Sequence, residues 1–149
     1  GLPDFLAGGD KNNKGINSGL MVAQYSQACL IAETKILCHP AVVDNISVSA
    51  DQEDHVCMGY VTAKKLTEVV RNTEIVVAIQ LLCAAQALDF LRPLKGGKSS
   101  EAAYEVIRKV VPRMYDDRPL YIDIDAVTAM VRDGSIVAAV EKACGEIGL

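Results

Sequence analysis

Between Ser49 and Leu91 apolar side chains return at helical spacing, with no proline and with Gly59 as the only glycine. Ser49 followed by Gln52 forms a capping-box start and Arg92-Pro93 a stop, so the pattern predicts one uninterrupted helix. At about 1.5 Å per residue that rod runs roughly 60 Å, against a radius of gyration of roughly 15 Å for a compact globule of this chain length. It therefore has to lie against other protein. Its middle, Ile75 to Leu88, carries no charge but includes Gln80 and Gln86. About 14 residues fall short of the roughly 18 of a membrane span, so the stretch reads as a helix covered on all sides by protein.

The remaining pattern is also helical. Residues 1–16 hold a polar, glycine-rich run, Gly8 to Gly15, expected to be a mobile loop. Asn17 or Ser18 caps a first helix with apolar positions Leu20, Met21, Ala23, Tyr25, Leu30 and Ile36, which must end near Cys38-His39 because Pro40 follows. Residues 40–50 are a connector. After a flexible turn from Lys95 to Ser100, a third helix is expected from Glu101 to Val111. Tyr121-Ile122-Asp123-Ile124 reads as short and extended. Asp123 or Asp125 then caps a short helix to Arg132, Asp133-Gly134-Ser135 breaks it, and a last helix runs to Cys144. The fold class is mainly α: a long-helix bundle fragment (17–92) with short C-terminal helices (93–149).

Composition narrows this picture. The 149 residues suffice for one domain; half are apolar, yet there is no Trp and only two Phe, which suits aliphatic helix packing. A net charge of −4, with no long basic run, argues against nucleic acid or an anionic membrane as partner. Five cysteines, at 29, 38, 57, 83 and 144, show no metal-like spacing, so no metal site is expected. Four lie in apolar helical contexts and read as buried free thiols of a reducing cytoplasm. The Gly-Leu-Pro start without Met fits a processed product, an engineered piece or a fragment.

Three constellations could carry chemistry. Gly97-Lys98-Ser99 lacks the glycine five positions earlier that a phosphate loop needs, since Arg92 stands there. His39 and His55 lie beside Cys38 and Cys57, but a spacing of two places His55 and Cys57 on different helix faces; a helix-end and a capping-turn role fit better. Gln52-Glu53-Asp54 leaves two readings open. Acids in a first helical turn gain about 0.3–1 kcal/mol each from the helix dipole. Alternatively, Glu53 points into a pocket, where it accepts a proton or binds an N–H-bearing substrate.

Motifs spread along the whole chain decide more. Gly1-Leu2-Pro3-Asp4-Phe5-Leu6, Asn17-Ser18-Gly19-Leu20-Met21-Val22-Ala23-Gln24, His39-Pro40, Ser49 through Met58, Ala84 through Asp89 and Asp117-Arg118-Pro119-Leu120 resemble, in order, the C-terminal portion of the histidine ammonia-lyases. These belong to the wider group of aromatic amino-acid lyases and aminomutases. Relatives acting on tyrosine or phenylalanine typically carry Asn-Gln-Asp where this chain has Gln52-Glu53-Asp54, so Glu53 with His55 favours histidine. The resemblance implies elimination of ammonia from L-histidine to give trans-urocanate, a methylidene-imidazolone electrophile made from an internal Ala-Ser-Gly, and a homotetramer of long helices whose active sites each draw on three subunits. By position Glu53 matches the catalytic glutamate, and Gln52 and Met21 match neighbouring substrate-binding positions. The 149 residues contain no Ala-Ser-Gly; Asn17-Ser18-Gly19 is the nearest run. The tyrosine base and the carboxylate-binding arginine would lie upstream of Gly1. The chain alone is therefore expected to be inactive and to self-associate. The alternatives are a fragment of a tyrosine or phenylalanine lyase or aminomutase, or a helical oligomerisation module without chemistry.

Overall fold

In the computed structural model, which describes residues 1–8 and 15–147, five helices are arranged around one long axis. Residues 9–14, the heart of the expected mobile loop, lie outside the described residues. Just before them, Asp4–Leu6 form a 3-10 turn, and Leu6 packs on the core. The axis is α2, Gly59–Leu91, 33 residues and about 50 Å long.

Helix α2 starts at Gly59, so the capping box at Ser49 does not begin it. Ser49, Ala50 and Asp51 instead take left-handed φ angles of 55°, 53° and 64°. The Gln52 N–H donates to the Ser49 carbonyl at 3.2 Å, while Val48 and Glu53 pair as an isolated antiparallel bridge. The local signal for a helix is overridden by a side chain from outside the segment. Asn45 binds both backbone groups of Val56, accepting its N–H at 2.8 Å and donating to its carbonyl. Both groups are thereby withdrawn from helical pairing. Met58, also left-handed at φ 49°, is the N-cap.

Helix α1, Met21–Leu37, runs antiparallel to α2: Gln27 donates to the Val76 carbonyl at 3.0 Å, and Asn72 donates to Glu33 at 2.8 Å. Neither Asn17 nor Ser18 caps it. That segment is held by the far end of the chain, where Asp117 accepts the Ser18 and Gly19 N–H groups at 2.7 and 2.9 Å. Asn17 in turn accepts the Asp117 N–H at 3.0 Å and donates to Asp116. Gly19 is required here, because its φ is +61° and a Cβ would stand 2.6 Å from the Phe5 carbonyl oxygen.

Helix α3 is Lys98–Val110, α4 Leu120–Arg132 and α5 Ser135–Cys144. The expected extended run Tyr121–Ile124 is the first turn of α4. Its period is helical when read further on, since Asp123, Val127 and Met130 share the buried face. Gly134, at φ 75°, separates α4 from α5 as the breaker triplet predicts.

The core forms where α2 meets its neighbours. Ala78, Leu82 and Ala85 pack with Ile107, Val127 and Met130. One ridge round, Ile79 packs with Leu20, Ala23 and Met114. The middle of α2 is thus buried on two faces and not on all sides, for Val77 is 40% exposed. An 18-residue window of α2 has a mean hydropathy of 1.7, apolar enough by length and composition to cross a membrane. A core helix passes the same test, and here Asn72, Gln86 and Asp89 sit buried along it in hydrogen bonds to other elements.

Candidate active-site wall

Gln52 and Glu53 stand on the loop between α1 and α2, closed at its base by Asn45 and Val56. The backbone pairing of Glu53 with Val48 is two-sided: the Val48 N–H reaches the Glu53 carbonyl at 2.9 Å, and the Glu53 N–H reaches the Val48 carbonyl at 3.3 Å. At the tip Ser47 donates to Asp51 at 2.6 Å. Three consecutive left-handed residues, none of them glycine, cost about 1–2 kcal/mol each, a strain that local pairing has to offset. All four polar side chains from Gln52 to His55 are exposed on this chain.

This geometry corrects the electrostatic reading. The first turn of α2 contains no acidic residue, so Glu53 gains nothing from that helix's dipole. His55 is a loop residue and not part of a capping turn, and Cys57 precedes the helix. His39 does follow the end of α1, where its carbonyl accepts the Lys65 ammonium.

Met21 opens α1, whereas the loop bearing Glu53 leaves from the opposite end of that helix, about 25 Å along it. Half-buried Met21 and the Gln52-Glu53 pair are therefore not gathered into one pocket by this chain. Two grooves elsewhere on the chain are lined by other residues. One of about 670 Å³ runs over Leu66, Val70, Arg71, Glu74 and Arg132, and one of about 440 Å³ lies between α2 and α3 over Leu81, Leu88 and Tyr104. Among the described residues no group of three or more His, Cys, Asp or Glu side chains could hold a metal ion.

The run nearest to Ala-Ser-Gly, Asn17-Ser18-Gly19, has its backbone and the Asn17 amide committed to Asp116 and Asp117. That segment is a docking strap.

The thiols also depart from the expectation. All five are free, but Cys29, Cys38, Cys57 and Cys144 are exposed, and only Cys83 is half-buried, where desolvation pushes its pKa up. The exposed ones lie on helix faces and loops that this chain leaves uncovered.

A buried polar network missed in the sequence stiffens the other end of α2. Asp89 accepts the Tyr104 hydroxyl and the Arg108 guanidinium, both at 2.7 Å. Gln86 donates to the Met114 carbonyl at 2.8 Å and accepts its N–H at 3.1 Å. Its hydrogen-bonded partners are 15 to 28 residues apart in the chain, so no local spacing announces them. Asn45 was missed for the same reason, being 11 residues from its partner.

Comparison with known proteins places this arrangement. A family model described as aromatic amino acid lyase matches residues 1–109. The histidine ammonia-lyase of Natranaerobius thermophilus is 46% identical over 147 residues, covering 99% of this chain and 28% of its own length. That of Myxococcus xanthus is 50% identical over 142 residues, covering 95% and 27%. Among solved structures, histidine ammonia-lyase from Trypanosoma cruzi aligns with a TM-score of 0.87 at 44% identity, over 95% of this chain and 27% of that one. Tyrosine aminomutase from Streptomyces globisporus aligns at 0.89 and 33% identity, over 100% and 28%. The chain spans 27–28% of the length of these relatives.

Proposed function

Because the chain belongs to the aromatic amino acid lyase family, we propose that it is the Glu53-bearing part of a histidine ammonia-lyase, which eliminates ammonia from L-histidine to give trans-urocanate. One observation carries the choice of substrate. Identity to histidine ammonia-lyases is 44–50% over nearly the whole chain, against 33% to a tyrosine aminomutase. Backbone shape does not separate the two, at TM-scores of 0.87 and 0.89. The sequence Gln52-Glu53-Asp54-His55 supports the same choice.

In this reading the exposed Glu53 carboxylate faces a pocket completed by other chain. It accepts a hydrogen bond from the substrate imidazole or relays a proton during elimination. Gln52 and Met21 line substrate-binding positions. A homotetramer with shared active sites accommodates their separation, since no single copy has to close a pocket. The methylidene-imidazolone electrophile is supplied by sequence outside these 149 residues, and no step on it is assigned to them. The exposed thiols fit a reducing cytoplasm.

The test is spectrophotometric. The full-length enzyme should convert histidine to urocanate, seen as rising near-ultraviolet absorbance. Glu53→Gln should slow it by about a hundredfold or more, within the usual range for a lost acid–base group. The 149-residue chain alone should give no signal, and measurable turnover by it would overturn its expected inactivity; a full-length enzyme that makes no urocanate would overturn the assignment.

A further inference from the structure

We propose that Asn45 is the positioning residue for Glu53, a role that rests on the lyase reading above. Its side-chain amide makes a two-point clamp on Val56, accepting the N–H at 2.8 Å and donating to the carbonyl. The clamp closes the loop that carries the Val48–Glu53 bridge. Within that loop the turn at Ser49, Ala50 and Asp51 is held left-handed, an arrangement that persists only when its surroundings over-determine it. The same segment has a competing conformation close at hand, because Ser49 through Met58 carries the start signal and apolar spacing of a helix. In that helix Glu53 would stand in the first turn of a rod, pointing elsewhere. Asn45 selects against it by occupying the backbone groups of Val56 that the helix would use. Being half-buried and pointed at the loop base, it acts on the position of the Glu53 carboxylate and not on the substrate.

The test is a double-mutant cycle in the full-length enzyme, assayed by urocanate formation. Asn45→Ala is expected to lower kcat/KM by about tenfold to a hundredfold, the loss that follows a small misplacement of a reacting group. In a Glu53→Gln background the same change is expected to cost about twofold or less, because a positioning residue has nothing left to position. Amide exchange at Val48 and Glu53 should quicken in Asn45→Ala while the middle of α2 keeps its protection. Asn45→Asp keeps the acceptor for the Val56 N–H but loses the donor to its carbonyl, and it carries the test if the alanine variant fails to assemble. Equal fold-losses in both backgrounds, or wild-type rates in both Asn45 variants, overturn the proposal. A wild-type enzyme that makes no urocanate sinks the lyase reading instead, and a fully active Glu53→Gln sinks the role given to Glu53; both show before any Asn45 variant is compared.

Discussion

Glu53 owes its place to its backbone pairing with Val48 and to the Asn45–Val56 clamp that closes the loop, and not to the residues beside it. Gly19 shows the same dependence from the other side. A Cβ there would meet the Phe5 carbonyl oxygen at 2.6 Å on a backbone already left-handed. Gly19→Ala should therefore destabilise by at least about 1–2 kcal/mol, read as a lower thermal midpoint by circular dichroism. Among the thiols, Cys83 is shielded and its pKa raised by burial. A disulfide reagent at mildly alkaline pH should consume Cys29, Cys38, Cys57 and Cys144 of the isolated chain first, with Cys83 lagging as a separate slow phase.

At the scale of elements, α2 is tied to α3 by two polar links of different character. The Arg108–Asp89 pair is buried, at 12% and 6% side-chain exposure. Asp89→Ala leaves a buried guanidinium unpaired and should cost about 3–5 kcal/mol, measurable by urea unfolding. Nearer the surface, the Gly96 N–H and then the Arg92 guanidinium hold the Glu101 carboxyl below its ordinary pKa. A depressed carboxylate stabilises the fold above its unfolded pKa and loses that contribution as pH falls through the folded value. Glu101→Gln should thus be less stable than the parent at neutral pH, and the difference should close in acid. Where helices begin was less legible than that they exist. The Ser49 capping box is a real local signal that lost to the Asn45 clamp, and the Tyr121–Ile124 run turned helical because Asp123, Val127 and Met130 share a face.

At the scale of the whole molecule, much apolar surface finds no partner within the chain. Tyr25 and Ile36 on α1 are 71% and 76% exposed, and Leu66 on α2 is 60% exposed. Patches beyond a few hundred Å² seldom stay solvated. Sedimentation of the isolated chain at micromolar concentration should show self-association, and a strictly monomeric species would count against a bundle role. The sequence by itself determined the helical class, the rod through Leu91, the break at Gly134 and the Gln52-Glu53 motif, because periodicity, capping chemistry and motif order are properties of neighbours in the chain. Only the tertiary structure decided that Glu53 rides a clamped loop, that Asn17 to Gly19 straps onto Asp117, and that Asp89 pairs with Arg108. Those contacts join residues 11 to 100 positions apart, a separation that no local pattern encodes.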